Sequence, residues 1–420
     1  MKKITLSVLF FVLSGFFISA YPAQILIPMD QSQRNHLKAY GIAYHVLTYD
    51  VEISWLLNYR GGSFMFEHFR EFENEMRIRG VSYEVIADVQ AAAILREMAN
   101  PEINQDEIRL HKVPRIAVYS PPNSLPWDDA VTLALTYAEI PYDVIYDEEV
   151  LSGILPMYDW LHLHHEDFTG QYGKFWFAYR NHAWYQEEVR LAEETARRLG
   201  FTKVSQMKLA VAKKIRDFVA GGGYMFAMCS APESIDIALA AEGVDILHEV
   251  FDGDPVEPGA QDKLDFSRSF AFENFRIVSD PAIYEKSNID VPKTGREERT
   301  DFFTLFEFSA KWDPVPTMLT QNHETLIKGF MGQTTAFRHD VIKPAVTILG
   351  ENRGLQEARY IHGSLGKGTF TFFGGHDPED YRHFVGDPPT DLNLFPNSPG
   401  YRLILNNVLF PAARKQKQKT

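Results

Sequence analysis

The 420-residue chain contains a single cysteine. No intramolecular disulfide can form, and every Cys-rich zinc module is excluded. Cations are also scarce, with Lys and Arg totalling 42 against 56 Asp and Glu, a formal net charge of -14. A general binder of phosphate backbones needs a basic face, so nucleic acid is not an expected partner. Long apolar runs are missing after residue 18. The run at residues 4–18 (ITLSVLFFVLSGFFI) spans about 15 residues, short of the ~20 that cross a bilayer. Nor is there a phosphate loop, because Gly221, Gly222 and Gly223 lead into a strand rather than out of one. What is present, 45% apolar and 23% charged residues, is the composition of a folded globular protein. The length allows two or three domains of ~100–200 residues.

Met1-Lys2-Lys3, the apolar run, and the small residues Ser19, Ala20 and Ala23 follow the n-, h- and c-region order of a secretory signal peptide. The sequence predicts removal of residues 1–23, with a mature start near Tyr21 or Gln24. The product is expected in the periplasm or secreted, with no stable membrane insertion after cleavage. Export without disulfides fits a bacterial periplasm.

Strand and helix signals then alternate. Residues 24–28, 51–58 and 81–86 read as strands, with helices at 36–47, 66–79 and 89–98. Residues 100–112 are polar and break the rhythm. A second series follows. Strands are expected at 114–119, 142–146, 158–165 and 224–229. Helices are expected at 127–138, with Asp128 and Asp129 in its first turn, and between 183 and 220. One more strand is expected at 244–250. Alternation of this kind is the signal for βαβ units and a parallel sheet. The stretch 251–340 loses the rhythm and reads as an insertion or lid over the carboxyl edge of the second sheet. Strands resume at 346–349, 358–363 and 369–373, and a closing helix at 401–408.

Two places carry chemistry. The strand YMFAMC ends at Cys229, and Ser230-Ala231-Pro232-Glu233 opens a helix. A cysteine at a strand-to-helix corner is the arrangement of a nucleophile elbow. The turn exposes the sulfur, and the helix N-terminus acidifies the thiol and offers N–H donors to an oxyanion. The pattern equally fits a buried core thiol. A nucleophilic Cys needs a base and the base needs an orienter. His376, after the last apolar strand, is followed by Asp377 and Glu379. Carboxyl ends of parallel strands gather on one edge, where ligands bind, so Cys229 and His376 are expected to neighbour each other within about 3–5 Å. The second place is Trp160-Leu161-His162-Leu163-His164-His165-Glu166-Asp167. Strand alternation puts His162 and His164 on one face and His165 opposite. Two alternate histidines plus a carboxylate such as Glu166 can hold Zn²⁺, and they also fit a strand packed in the core.

The motifs YMFAMCSAPE and GKGTFTFFGGHDPED resemble the class I glutamine amidotransferase-like superfamily, over residues 113–250 and 341–412. The resemblance implies an α/β fold of two flavodoxin-like parallel βα units, with residues 24–105 as an N-terminal domain. Residues 113–412 would form the amidotransferase-like domain, with the insertion at 251–340, and residues 413–420 a basic tail. It implies Cys229 as nucleophile, His376 as base and Glu379 as orienter, with Ser230, Ala231 and Asp377 in support. The activity implied is that of a Cys-dependent amidase or related hydrolase acting on a small-molecule amide or related carbonyl substrate, with no cofactor. The chain departs from the family pattern in spacing, since two residues separate His376 and Glu379 where one is usual. The alternatives are a metal-dependent hydrolase built on His162, His164, His165 and Glu166, with Zn²⁺, or a non-catalytic periplasmic binding module. The N-terminal stretch also resembles exported bacterial proteins labelled asparagine synthetase B. That chemistry uses an N-terminal Cys, and position 2 is Lys.

Overall fold

The computed structural model describes residues 23–121 and 129–413. The expected signal peptide up to residue 22, residues 122–128 and the basic tail from 414 lie outside the described residues. Among the described residues no helix is long and apolar enough to cross a membrane.

The first sheet is built from β1 (Ala23–Ile27), β2 (Ile53–Leu57), β3 (Ser63–Glu67), β4 (Glu84–Ala87) and β5 (Asp106–Leu110), in the order β4-β1-β3-β2-β5. Its helices are α1 (His36–Leu47), α2 (Arg70–Arg79) and α3 (Asp88–Met98). Every pairing in this sheet is antiparallel, so the expectation of a parallel flavodoxin-like unit here is corrected. Two strands account for the difference. Ser63–Glu67 (SFMFE) returns from the turn at Tyr59 as a hairpin partner of β2, whereas the sequence assigns Phe66 to a helix. A five-residue apolar run is too short for periodicity to separate strand from buried helix. Asp106–Leu110 (DEIRL) is polar in composition, yet Ile108 and Leu110 are buried while Arg109 faces out. That is the alternation of a half-buried antiparallel strand. The sheet thus runs five residues past Gln105.

The second sheet contains β6 (Ile116–Tyr119), β7 (Asp143–Ile145), β8 (Trp160–Leu163), β9 (Tyr224–Met228), β10 (Phe302–Leu305), β11 (Leu326–Lys328), β12 (Phe337–Arg338), β13 (Thr347–Asn352), β14 (Glu357–Leu365) and β15 (Gly368–Phe373). Its path is β11-β10-β13-β14-β15-β9-β8-β6-β7, with β12 on β14. From β7 to β15 all pairs are parallel; from β15 to β11 all are antiparallel. Strands β6, β8 and β9 are apolar and essentially buried along their length, as parallel strands covered on both faces must be. The covering helices include α4 (Ala130–Ala138), α5 (Asp147–Ser152), α6 (Trp176–Tyr179), α7 (Ala183–Arg198), α8 (Val204–Gly221), α9 (Ala231–Ala240), α10 (Glu249–Asp252), α11 (Pro314–Leu319) and α12 (Pro399–Leu409). The chain is therefore mixed α/β. The strand expected at 244–250 is loop running into α10.

A helical layer of α1, α4 and α12 lies between the two sheets. Ile25 and Trp55 of the first sheet share one core with Val118, Phe226 and Phe373 of the second. α1 and α4 touch at Gly41, where an added Cβ would lie 1.8 Å from the Ala138 carbonyl oxygen. Fully buried Arg402 on α12 donates to the Met29 carbonyl at 2.9 Å and to Tyr40 Oη at 3.0 Å, tying the closing helix to the first sheet. The insertion has two parts. Strands β10 and β11 extend the antiparallel flank of the sheet, while residues 330–336 cover the carboxyl edge of its parallel half. Asp236 of α9 fastens the start of the insertion, its carboxylate accepting from the backbone N–H groups of Phe270, Ala271 and Phe272 at 2.6–2.9 Å.

Candidate active site

β9 and β15 are parallel neighbours, with Met228 opposite Phe373. The chains leaving them therefore emerge side by side. Cys229 turns the corner between β9 and α9 with φ +53°, a left-handed conformation that costs a non-glycine residue ~1–2 kcal/mol. Strain of this kind persists only where the surroundings enforce it. Here the Cys229 N–H donates to the Gly375 carbonyl at 3.0 Å, and the His376 N–H donates to the Met331 carbonyl at 3.0 Å. Gly375 has φ +104°, and a Cβ there would lie 2.3 Å from the Phe330 ring. The glycine pair before His376 thus lets the strand-end loop pass under the insertion.

Cys229 Sγ, a ring nitrogen of His376 and a ring nitrogen of His164 all lie within 4.8 Å of one another, and all three residues are buried. This is the proximity expected of Cys229 and His376. His376 Nδ1 stands 3.0 Å from His164 Nε2, and the His383 ring stacks on His376 at 4.7 Å. The Gln333 backbone N–H donates to Cys229 Sγ at 3.4 Å. Burial pushes the thiol up to about 11, against the opposing pull of the Gln333 and Ser230 backbone N–H groups and of Lys286. The expectation of an acidified thiol is corrected, because desolvation outweighs the helix N-terminus. Burial, together with the neighbouring His164, holds His376 well below the usual histidine range. Both shifts favour the uncharged forms of the pair.

Two expected roles, those of Glu379 and Ala231, are corrected. Glu379 does not orient His376. After Pro378 the chain turns away, and the Glu379 carboxylate bonds Ser398 at the start of α12, with burial raising its carboxyl. Asp377 is buried and its carboxylate accepts from the Glu379 N–H at 2.8 Å, capping that turn. Ala231 offers no donor to an oxyanion, because its N–H donates to the His164 carbonyl at 2.9 Å. Ser230 keeps its backbone N–H near the thiol, while its hydroxyl donates to the carbonyls of His165 and Glu166 at 3.3 Å.

The histidine cluster divides. His162 and His164 share a face, and both meet Asp129, the N-cap of α4. His162 Nε2 is 3.2 Å from Asp129 Oδ2, and His164 Nδ1 is 3.7 Å from Asp129 Oδ1. His165 and Glu166 do not join them. His165 Nε2 faces Glu166 Oε1 at 3.9 Å, and the other Glu166 oxygen accepts from the His164 N–H at 3.0 Å. Burial raises the Glu166 carboxyl to about 8. The carboxylate that joins the histidines is thus Asp129 rather than Glu166. Asp129 and Gln333 are the residues sequence reasoning missed. Asp129 has a sequence signal only as a helix-start acid. Gln333 sits in aperiodic chain and has none.

No family model matches the chain, and no curated protein matches it. Among solved structures it is similar to the cytoplasmic protein STM3548 from Salmonella typhimurium, at 9% identity and TM-score 0.34, over 72% of this chain and 100% of that one. It is similar to the cytoplasmic protein STM1381 from Salmonella typhimurium LT2 at 10% identity and TM-score 0.36, over 71% of this chain and 99% of that one. A beta-galactosidase from Bacillus circulans sp. alkalophilus shares 12% identity at TM-score 0.25, over 63% of this chain and 29% of that one. Likenesses this slight assign neither an activity nor a family to the chain.

Proposed function

We propose that the chain is a cysteine-dependent amidase or related hydrolase of the glutamine amidotransferase-like type, acting on a small amide or related carbonyl substrate. One observation carries the reading. The lone cysteine is held at φ +53° on the strand-to-helix corner, with a His376 ring nitrogen within 4.8 Å of its sulfur. A core thiol has no need of that strain, whereas a nucleophile that must project from a sheet edge does. The order of the parallel half supports the fold assignment. In chain sequence its five strands run second, first, third, fourth, fifth, the flavodoxin-like order, whose ligands bind at the carboxyl edge.

In this reading Cys229 Sγ attacks the substrate carbonyl as its proton passes to His376. The thiol starts neutral, so deprotonation accompanies attack, as general-base catalysis allows. The backbone N–H groups of Ser230 and Gln333 now point at the sulfur; in this reading they turn to the substrate carbonyl oxygen, where negative charge develops. His376 returns the proton to the leaving amine. Water then releases the carboxylic acid from the thioester and restores the thiol. His164 takes the orienting position that the resemblance gives to Glu379. In this reading the signal-like leader would carry the chain, and this chemistry, out of the cytoplasm.

The test is ammonia release from a panel of small primary amides by the wild type and by Cys229→Ala. Turnover should vanish in the variant with the fold intact by circular dichroism. Turnover that survives in Cys229→Ala removes the cysteine mechanism.

A further inference from the structure

We propose that Asp129, His162 and His164 form a site for a divalent transition metal, and that Zn²⁺ is the ion it takes. The inference does not depend on the role given to Cys229.

One ligand atom from each of the three buried residues lies within 4.8 Å of the others. Two of the ligands are fixed from behind. Asp129 Oδ1 accepts from the N–H groups of Val131 and Thr132 at 2.7 and 3.1 Å, which leaves Oδ2 facing His162 Nε2. His162 Nδ1 donates to the Phe226 carbonyl at 3.1 Å. That bond puts the ring proton on Nδ1 and a lone pair on Nε2. Metal-ligating histidines are held in this way, with the distal nitrogen anchored to a carbonyl or carboxylate.

The decisive contact is between His162 Nε2 and Asp129 Oδ2. The two atoms lie 3.2 Å apart, at ion-pair distance, both are shut off from solvent, and their contact falls short of good hydrogen-bond alignment. A lone pair facing a carboxylate oxygen in a dry pocket is repulsive, and buried polar atoms are as a rule partnered. Protonating Nε2 would supply a donor, but the contact lacks hydrogen-bond alignment. An ion lying to one side of the line between the atoms satisfies both at once. Tetrahedral Zn²⁺ with bonds of ~2.0–2.1 Å sets neighbouring ligand atoms about 3.3 Å apart. The observed separations are 3.2 Å from Asp129 Oδ2 to His162 and 3.7 Å from Asp129 Oδ1 to His164. Two imidazoles and one carboxylate suit Zn²⁺, and three protein ligands leave the fourth position for water or substrate. The site also touches the cysteine pair. An ion on His164 Nδ1 would keep the His164 proton on Nε2, donated to His376 Nδ1 at 3.0 Å, and so hold the His376 proton on Nε2; the metal-loaded site and a His376 base for Cys229 are therefore alternative states.

The test uses the full chain. Wild type, Cys229→Ala, His162→Ala and Asp129→Asn are exchanged against limiting free Zn²⁺, and bound metal is measured by mass spectrometry. Co²⁺ loading gives an independent readout through its visible absorption. Asp129→Asn keeps an acceptor for the α4 cap, so it guards against a misfolded His162→Ala. The wild type and Cys229→Ala should each hold one equivalent. Outer-shell changes alone cost ~10–100-fold in affinity, so loss of a ligand in either of the other variants should exceed about 100-fold. The proposal is overturned by a wild type that retains no ion, by unchanged affinity in both ligand variants, or by loss of the ion in Cys229→Ala. The last result would move the site to Cys229, His164 and His376.

Discussion

The corner at Cys229 makes a prediction that separates strain from contact. Cys229→Ala and Cys229→Gly both delete the sulfur, and both remove the acceptor of the Gln333 N–H. Their difference isolates the left-handed backbone at φ +53°. Alanine keeps the ~1–2 kcal/mol cost of that conformation. Glycine relieves it, but loosens the unfolded chain by ~0.4–1 kcal/mol. The glycine variant should therefore be the more stable by ~0.5–1 kcal/mol. With a urea slope of at least ~3 kcal/mol/M for a chain of this size, its unfolding midpoint should lie about 0.2–0.3 M higher. Equilibrium urea unfolding followed by tryptophan fluorescence reads the shift. An alanine variant as stable as the glycine variant, or more so, would refute a strained elbow. Both variants should be equally inactive, since activity depends on the sulfur and stability on the backbone.

Other consequences are local. Gly41→Ala should destabilise by at least the ~1–3 kcal/mol typical of overpacking, because its Cβ would meet the Ala138 carbonyl at 1.8 Å; thermal melting reads this. Asp236→Ala strands three buried backbone N–H groups, each worth ~1–3 kcal/mol when unsatisfied, and limited proteolysis should then cut within 251–340 in preference to the rest. Burial and the nearby Arg402 hold His36 down at about 4, whereas an unfolded histidine titrates near ~6.5. The unfolded state therefore binds more protons between those values, and the stability contributed by neutral His36 is lost as pH falls through that window. The difference in urea midpoint between wild type and His36→Gln should shrink from pH 7 to pH 4.5, and a constant difference would contradict the shift.

How far the sequence reached depended on what each signal encodes. Cys229 and His376 were legible because each ends an apolar strand, and strand ends of a parallel sheet share an edge. The pairing of His162 with His164 was legible from alternation alone. The partner of those histidines was not, since Asp129 reads as a helix cap and its approach to β8 is a tertiary contact. The resemblance misplaces Glu379 because the chain after Pro378 carries its carboxylate to Ser398 instead of to His376. Alternating strand and helix signals report the order of elements and not their pairing, which is why an antiparallel first sheet looked like a parallel series. The cover supplied by Gln333 had no signal, because residues 251–340 carry no periodicity until they fold onto the rest. The acidity of the thiol was argued from the helix N-terminus, and burial, invisible in the local sequence, reversed it.

The central claim is that His376 serves as the base for Cys229. Its most direct test is the rate of iodoacetamide alkylation at Cys229 near pH 7.5, in wild type and in His376→Ala, with urea-unfolded chain as the reference for an unprotected thiol. A buried neutral thiol with an adjacent base should react at least about tenfold faster in the wild type than in the variant, since general bases contribute ~10²–10⁴-fold. Equal rates in the two folded proteins, or no labelling of folded wild type while unfolded chain labels fully, would leave Cys229 an inert core thiol.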